Sequence, residues 1–320
     1  MRATAIAQPN IALIKYWGKR DLERNLPAVG SISVTLRDLF TTMQVELDDR
    51  LSCDKLVVNG AVDAAMLPRL SACLDAVVGS RRPRASIVSQ SNFPIAAGLA
   101  SSASAFSAAT IAAAKAAGKS FSIAELSSLA GRASGSAARS LHGGFVELKN
   151  SGDDILVSTL CESDAWPLTV VVAITESGPK AVGSTAAMEG SRKTSPFYAR
   201  WVEQQEHDLD MARDAILRRD FGQLAAIAEH NCLKMHSIMW TSRPPTVYWN
   251  SATMRCLHTV RKLQGRGLDV FFTMDAGPQV KAICLPEHAE AVQKALAATE
   301  GVCDVMVSGL GDAARLMDVT

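Results

Sequence analysis

The first half of the chain is punctuated by short apolar runs of strand length. ATAIAQ (residues 3–8), IALIKYW (11–17), SISVTL (31–36), TTMQVEL (41–47) and KLVVN (55–59) are separated by turn residues and read as strands. An Ala/Ser-rich stretch predicts a helix from about residue 100 to 117. Ser122 and Glu125 have the spacing of a capping box for a second helix over 123–133. GGFVELK (143–149) and LTVVVAIT (168–175) read as further strands. The pattern then changes: apolar positions recur at helical spacing over 197–217, 220–240 and 248–264. Strand LDVFFTMD (268–275), strand QVKAICL (279–285), helix EHAEAVQKALAA (287–298) and strand GVCDVMVS (301–308) close the chain. The polar stretch TESGPKAVGST (175–185) predicts a boundary near residue 180, dividing the chain into domains 1–180 and 181–320. The expected class is α+β, with helices covering mainly antiparallel sheets.

Composition narrows this without redirecting it. A chain of 320 residues fits one large domain or two ordinary ones, and 48% hydrophobic with 20% charged residues excludes wholesale disorder. A formal net charge of +1 offers no long-range field for nucleic acid or an anionic membrane. Neither a signal-peptide pattern nor an apolar run of membrane-spanning length is expected. The seven cysteines are scattered, with no CxxC spacing, and read as buried thiols of a cytoplasmic protein. The six histidines form no HExxH pattern, so no protein metal ligand is assigned, and Arg81, Arg82 and Arg84 read as a solvated loop.

The main chemical signal is PIAAGLASSASAF, residues 94–106. Pro94 and Gly98 shape a loop into a helix whose entrance carries only small side chains and no acidic residue. A helix N-terminus offers unpaired N–H groups and a partial positive charge, which suits phosphate. Tight packing of an Ala/Ser helix on a sheet is the competing reading. The segment is neither a Walker A loop nor a GxGxxG fingerprint. It resembles the phosphate motif of the GHMP kinase superfamily through Pro94, Gly98, Leu99, Ser101, Ser102 and Ala103.

Four other segments point within that superfamily. NIALIKYWGKRD (10–21), NLPAVGSISVTL (25–36), SGSAARSLHGGFVE (134–147) and FFTMDAGPQV (271–280) are similar, in order, to segments of the diphosphomevalonate decarboxylase family. The resemblance implies a two-domain GHMP kinase fold, with an S5-like N-terminal domain, a ferredoxin-like C-terminal domain and a cleft between. It implies ATP and Mg2+ as cofactors and mevalonate 5-diphosphate as substrate. The products would be isopentenyl diphosphate, CO2, ADP and phosphate, in isoprenoid biosynthesis.

The same resemblance assigns roles. Asp275 would orient or deprotonate the tertiary hydroxyl; capping of a local turn is its ordinary alternative. Lys15 would bridge Asp275 and the transferred phosphoryl group. Arg139 would grip the substrate carboxylate through its planar fork. Tyr16, Lys19, Ser134, Ser136, Ser184 and Thr185 would meet the rest of the substrate. Asn10, Gly98, Leu99, Ala100, Ser101, Ser102 and Ala103 would lie toward ATP. Trp17 reads more as core than as a contact. A homodimer is the family's habit.

Two segments depart from the family pattern. Val29 and Gly30 replace polar residues, and Ala187 stands where the family's Ser-Ser-[TR]-x-Gly-Met has glycine. These leave open a decarboxylase acting on the 5-monophosphate. A small-molecule kinase that stops after phosphorylation, and a non-catalytic nucleotide sensor, are the other readings.

Overall fold

The computed structural model describes residues 1–94, 99–178 and 181–317. Eight α-helices are described: α1 Leu67–Val78, α2 Ser101–Ala116, α3 Ile123–Ala133, α4 Ser184–Thr194, α5 Tyr198–Arg218, α6 Phe221–Trp240, α7 Ser251–Gln264 and α8 Ala289–Ala297.

Three sheets organise them. In the first the strands run, in order, Arg315–Met317, Arg2–Ala7, Thr41–Asp48, Arg84–Ser91, Lys55–Val58 and Ala61–Val62. Its pairings are antiparallel except that of Lys55–Val58 with Arg84–Ser91. α2 lies on this sheet because Ala108, Ala109, Ala112 and Ala113, all 0% exposed, let its backbone approach closely. α3 begins at the expected capping box, with Ser122 and Glu125 bonded reciprocally.

The second sheet, antiparallel, is ordered Asp154–Cys161, Phe145–Ser151, Ser31–Thr35 and Asn10–Ile14. The third, also antiparallel, is ordered Val270–Thr273, Val280–Cys284, Thr169–Ile174 and Asp304–Gly309. One core joins Ile11, Ile32, Val34 and Phe145 of the second sheet to Val170, Val172, Phe271 and Ile283 of the third. Leu209 and Ile216 of α5 and Leu224 and Ile227 of α6 complete it. Each such side chain contributes roughly 1.5–3 kcal/mol by leaving water.

Sheet membership changes between Cys161 and Thr169, ahead of the polar stretch at residue 180, because the strand Thr169–Ile174 pairs only with later strands. The end of the chain then returns to the first sheet, where Arg315–Met317 pairs with Thr4–Ile6.

Arg82 departs from the solvated loop expected for its arginine-rich run. It is buried and forks onto Asp54 at 2.9 and 2.6 Å, with Asp75 on its Nε side at 2.9 Å. Cys303 is likewise exposed rather than buried, as is Cys53; Cys73, Cys232, Cys256 and Cys284 are buried.

Candidate active site

The strand Asn10–Ile14 breaks register against Ser31–Thr35 between Ala12 and Ile14, and it ends one residue before Lys15. The irregularity re-aims the chain, as bulges beside active sites do. Lys15 is 0% exposed. Its ammonium donates to Ala12 O at 2.7 Å and to Asp275 Oδ1 at 2.9 Å. Residues 260 positions apart thus meet as one ion pair.

The main chain of Lys15 is held on both sides by side chains. Its N–H donates to Asn231 Oδ1 at 2.7 Å, and its carbonyl accepts from Gln205 Nε2 at 2.7 Å. Asn231 donates in turn to Gln205 Oε1 at 3.0 Å and Asp208 Oδ2 at 2.6 Å. Lys234 pairs with that same Asp208 carboxylate. α5 and α6 therefore clamp the residue that pairs with Asp275.

Asp275 follows the strand Val270–Thr273. Lys281 approaches its other oxygen, with Nζ 3.7 Å from Oδ2. Burial alone would raise the Asp275 carboxyl, but Lys15, Lys281 and Arg139 outweigh it and hold the group below its ordinary value. Met274, beside it, is tied to α6 by the Cys232 thiol, which accepts from Met274 N at 3.2 Å.

Arg139 sits in a 3-10 turn, Ala137–Leu141, and is 2% exposed. Its guanidinium donates to Ser31 Oγ at 2.7 Å, Ser33 Oγ at 3.0 Å and Asn10 Oδ1 at 3.1 Å. These acceptors are all neutral. Burial lowers its pKa to about 10, leaving a cation at neutral pH. Such a group orients an anion rather than neutralising a neighbour.

Asn10, expected toward ATP, lies beside Arg139: its oxygen receives the guanidinium and its Nδ2 donates to Ser140 Oγ at 2.8 Å. Ser134 Oγ reaches Ser102 Oγ at 3.4 Å, joining the substrate segment to the entrance of α2. Ser136 supplies its carbonyl to Asn10 Nδ2 at 3.0 Å. Tyr16 packs against the same segment: a Cβ on Gly135 would lie 2.7 Å from the Tyr16 hydroxyl. That hydroxyl is buried without a hydrogen-bond partner among the described residues, and burial pushes its pKa up.

Lys19 reaches Thr185 Oγ1 at 3.5 Å, at the first turn of α4, which carries no acidic residue. Ser184 begins that helix. Burial, then the nearby Arg69, lowers the Lys19 pKa, against the pull of Glu189. Arg69 donates to Ala133 O at 3.3 Å, next to Ser134, so a second cation stands at this end of the site. Trp17 is buried with Val29, Met188 and Trp201, a core role as expected.

The entrance of α2 keeps its small side chains. Leu99 is buried, Ala100 takes a left-handed conformation at φ 53°, and Ser101, Ser102 and Ala103 form the first turn, free of acidic residues. Gly98 lies outside the described residues. The entrance fits a nucleotide phosphate. No group of three or more His, Cys, Asp or Glu able to hold a metal occurs among the described residues.

Residues 7–159 match the diphosphomevalonate decarboxylase-like N-terminal domain, and residues 170–308 match the mevalonate 5-diphosphate decarboxylase C-terminal domain. The chain belongs to the diphosphomevalonate decarboxylase family. The diphosphomevalonate decarboxylase of Candida albicans is 35% identical over 86% of this chain and 82% of its own length. The human enzyme of that name is 34% identical over 89% and 77%. The mevalonate diphosphate decarboxylase structure from Staphylococcus aureus superposes with a TM-score of 0.93 at 33% identity, covering 99% of this chain and 98% of that one. A structure described as MDDEF in complex with MVAPP, AMPPCP and magnesium superposes at 0.92 with 32% identity, covering 100% and 99%. The family's two-domain GHMP kinase fold is therefore the fold of this chain.

Several residues that hold Lys15 and Arg139 in place carry no role in the sequence reading. Ser31 and Ser33 look like ordinary strand hydroxyls; their alternation, facing Arg139, is the signal that could have found them. Asn231, Gln205 and Asp208 lie on helices, where polar residues on the buried face were the available clue.

Proposed function

We propose that Asp275, Lys15 and Arg139 perform, in this chain, the ATP-dependent decarboxylation of mevalonate 5-diphosphate that defines the family. The supporting observation is a buried guanidinium held by neutral acceptors beside a Lys–Asp pair whose ammonium is buried and whose carboxylate is partly exposed. The substrate has a tertiary hydroxyl, a carboxylate and a diphosphate tail. Asp275 accepts the hydroxyl hydrogen bond and aims that oxygen; its depressed pKa makes it an orienting carboxylate first and a weak base second. Lys15 stands between Asp275 and the incoming phosphoryl position and screens the charge that gathers there.

Leu99–Ala103 at the entrance of α2, Ser101 and Ser102 among them, would hold the phosphates of MgATP, which would supply the phosphoryl group that makes the tertiary oxygen a leaving group. When the C–O bond breaks, its electron pair leaves with the oxygen. The C–C bond to the carboxyl group then supplies the pair that forms the alkene, and CO2 departs. Arg139 keeps the carboxylate in line for that cleavage, and the dry surroundings favour loss of its charge as neutral CO2. Lys19, Arg69, Tyr16 and the first turn of α4, with Ser184 and Thr185, receive the diphosphate, while Ser134 and Ser136 line the middle of the substrate. Asn10 serves by holding Arg139.

We also place the chain in the cytoplasm, since its cysteines are all free thiols. A homodimer is the assembly to check by light scattering.

The test is ATP-dependent CO2 release from mevalonate 5-diphosphate and, separately, the 5-monophosphate. The diphosphate is expected to release CO2. Release from the monophosphate alone, or a phosphorylated product without CO2, would overturn the reading.

A further inference from the structure

Lys15 and Lys281 are both 0% exposed, and they reach the two oxygens of one carboxylate, Asp275 Oδ1 at 2.9 Å and Oδ2 at 3.7 Å. They arrive by different routes. Lys281 lies opposite Thr273 in the third sheet, so the two side chains share a face, and Asp275, two residues beyond Thr273, leaves on that face. The flanking residues Met274, Val280 and Ala282 point the other way, into a separate apolar core. A buried ammonium is rarely tolerated without a counter-charge. Here the Asp275 carboxylate faces both ammonium groups, with the buried Arg139 close enough to act on it as well.

Other groups near Asp275 add no charge at neutral pH. From α6 come the Cys232 thiol, pushed up by burial, and the His236 ring, pushed down to about 3 by burial. From the end of the first strand of the second sheet comes Lys15, and from the 3-10 turn Arg139; both are assigned to the reacting groups. Lys281 is the remaining cation on Asp275.

We propose that Lys281 is a positioning residue for the reaction: it fixes the second oxygen of Asp275 and keeps that group an anion, aimed at the tertiary hydroxyl. The proposal rests on the assignment of Asp275 above.

A nearby cation favours the ionised carboxyl, so removing it raises the carboxyl's pKa. The test is kcat against pH for the full chain, with saturating mevalonate 5-diphosphate and MgATP, in Lys281→Met and Lys281→Arg. Methionine keeps the length and suits the apolar surroundings. The acid limb of Lys281→Met is expected to move to higher pH by about one unit or more, the typical effect of an opposite charge at this range. Lys281→Arg, which keeps a cation facing Asp275 Oδ2, should restore it. The limb's position does not depend on how much protein folds, and substrate phosphate titration is common to all three enzymes. An acid limb in Lys281→Met that superposes on wild type, with Asp275→Asn inactive, overturns the role of Lys281. Full turnover in Asp275→Asn overturns the assignment of Asp275 and the inference with it.

Discussion

Replacing Asn231 by leucine, similar in size, removes the clamp on Lys15 without touching the cleft. The Lys15 N–H then loses its acceptor, and Gln205 Oε1 loses its donor, in a place where Asn231 and Gln205 are 0% and 2% exposed. Each orphaned buried group costs about 1–3 kcal/mol, so a loss of about 2–6 kcal/mol in folding stability is expected. Asp208 keeps Lys234 and is spared a naked charge. The Lys15 main chain retains Gln205 alone, and a displacement near 1 Å at a reacting group costs roughly 10²-fold in rate. Urea unfolding reads the first effect; steady-state CO2 release reads the second. The expected pattern is kcat down by about 10²-fold with KM for ATP within a few-fold. Asn231→Asp separates the contributions, because it keeps an acceptor for Lys15 but sets a carboxylate against Asp208. A folded Asn231→Leu enzyme with kcat within about twofold of wild type would refute the clamp.

Arg139→Lys keeps the charge but cannot serve Ser31, Ser33 and Asn10 together; it should lose nearly as much turnover as Arg139→Ala, and a well-functioning lysine variant in single-turnover assays would reduce Arg139 to a diffuse charge. Ser102→Asp places a carboxylate in the first turn of α2, so calorimetry should lose the MgATP signal and keep that of mevalonate 5-diphosphate; unchanged ATP affinity would mean that the entrance is packing alone. Arg82→Ala strands the buried Asp54 and should cost about 3–5 kcal/mol in denaturant unfolding. Despite opposing burial, Arg82 and its neighbours lower the Asp54 carboxyl from 3.8 to about 2, so its contribution is present above pH 3.8 and lost as pH falls through about 2; a melting temperature equally flat over that window in wild type and Asp54→Asn would contradict this.

Apolar periodicity made the long helices legible: α5, α6 and α7 lie within a few residues of where spacing places them, because each buries a regular stripe. α4 is harder to read, since it buries only Ala187, Met188 and Ser191 and offers no such stripe. The boundary at residue 180 followed a composition change, whereas the sheet changes earlier through an apolar strand that resembles its predecessors. Lys15, Arg139 and Asp275 were visible through the family-like segments 10–21, 134–147 and 271–280 that carry them, and Lys15 and Asp275 also because charges end apolar runs there. Lys281 interrupts one too, in VKAIC, but its meaning depends on the register that sets it opposite Thr273. Arg82 resembled its exposed neighbours because its partners Asp54 and Asp75 are distant in sequence.

The return of the last strand to the first sheet has a mechanical consequence. The chain passes between the second and third sheets near Trp166, whose ring stacks on Phe145 at 5.2 Å, and passes back after Gly309, where Arg37 N donates to Gly309 O at 2.9 Å. Two covalent crossings tether these parts of the chain where one would suffice, and the core shared by Ile11, Val34, Phe145, Val170 and Phe271 joins them as well. Neither part can come away from the other without stripping that packing, so Lys15 and Asp275 meet across a seam held by chain and core together.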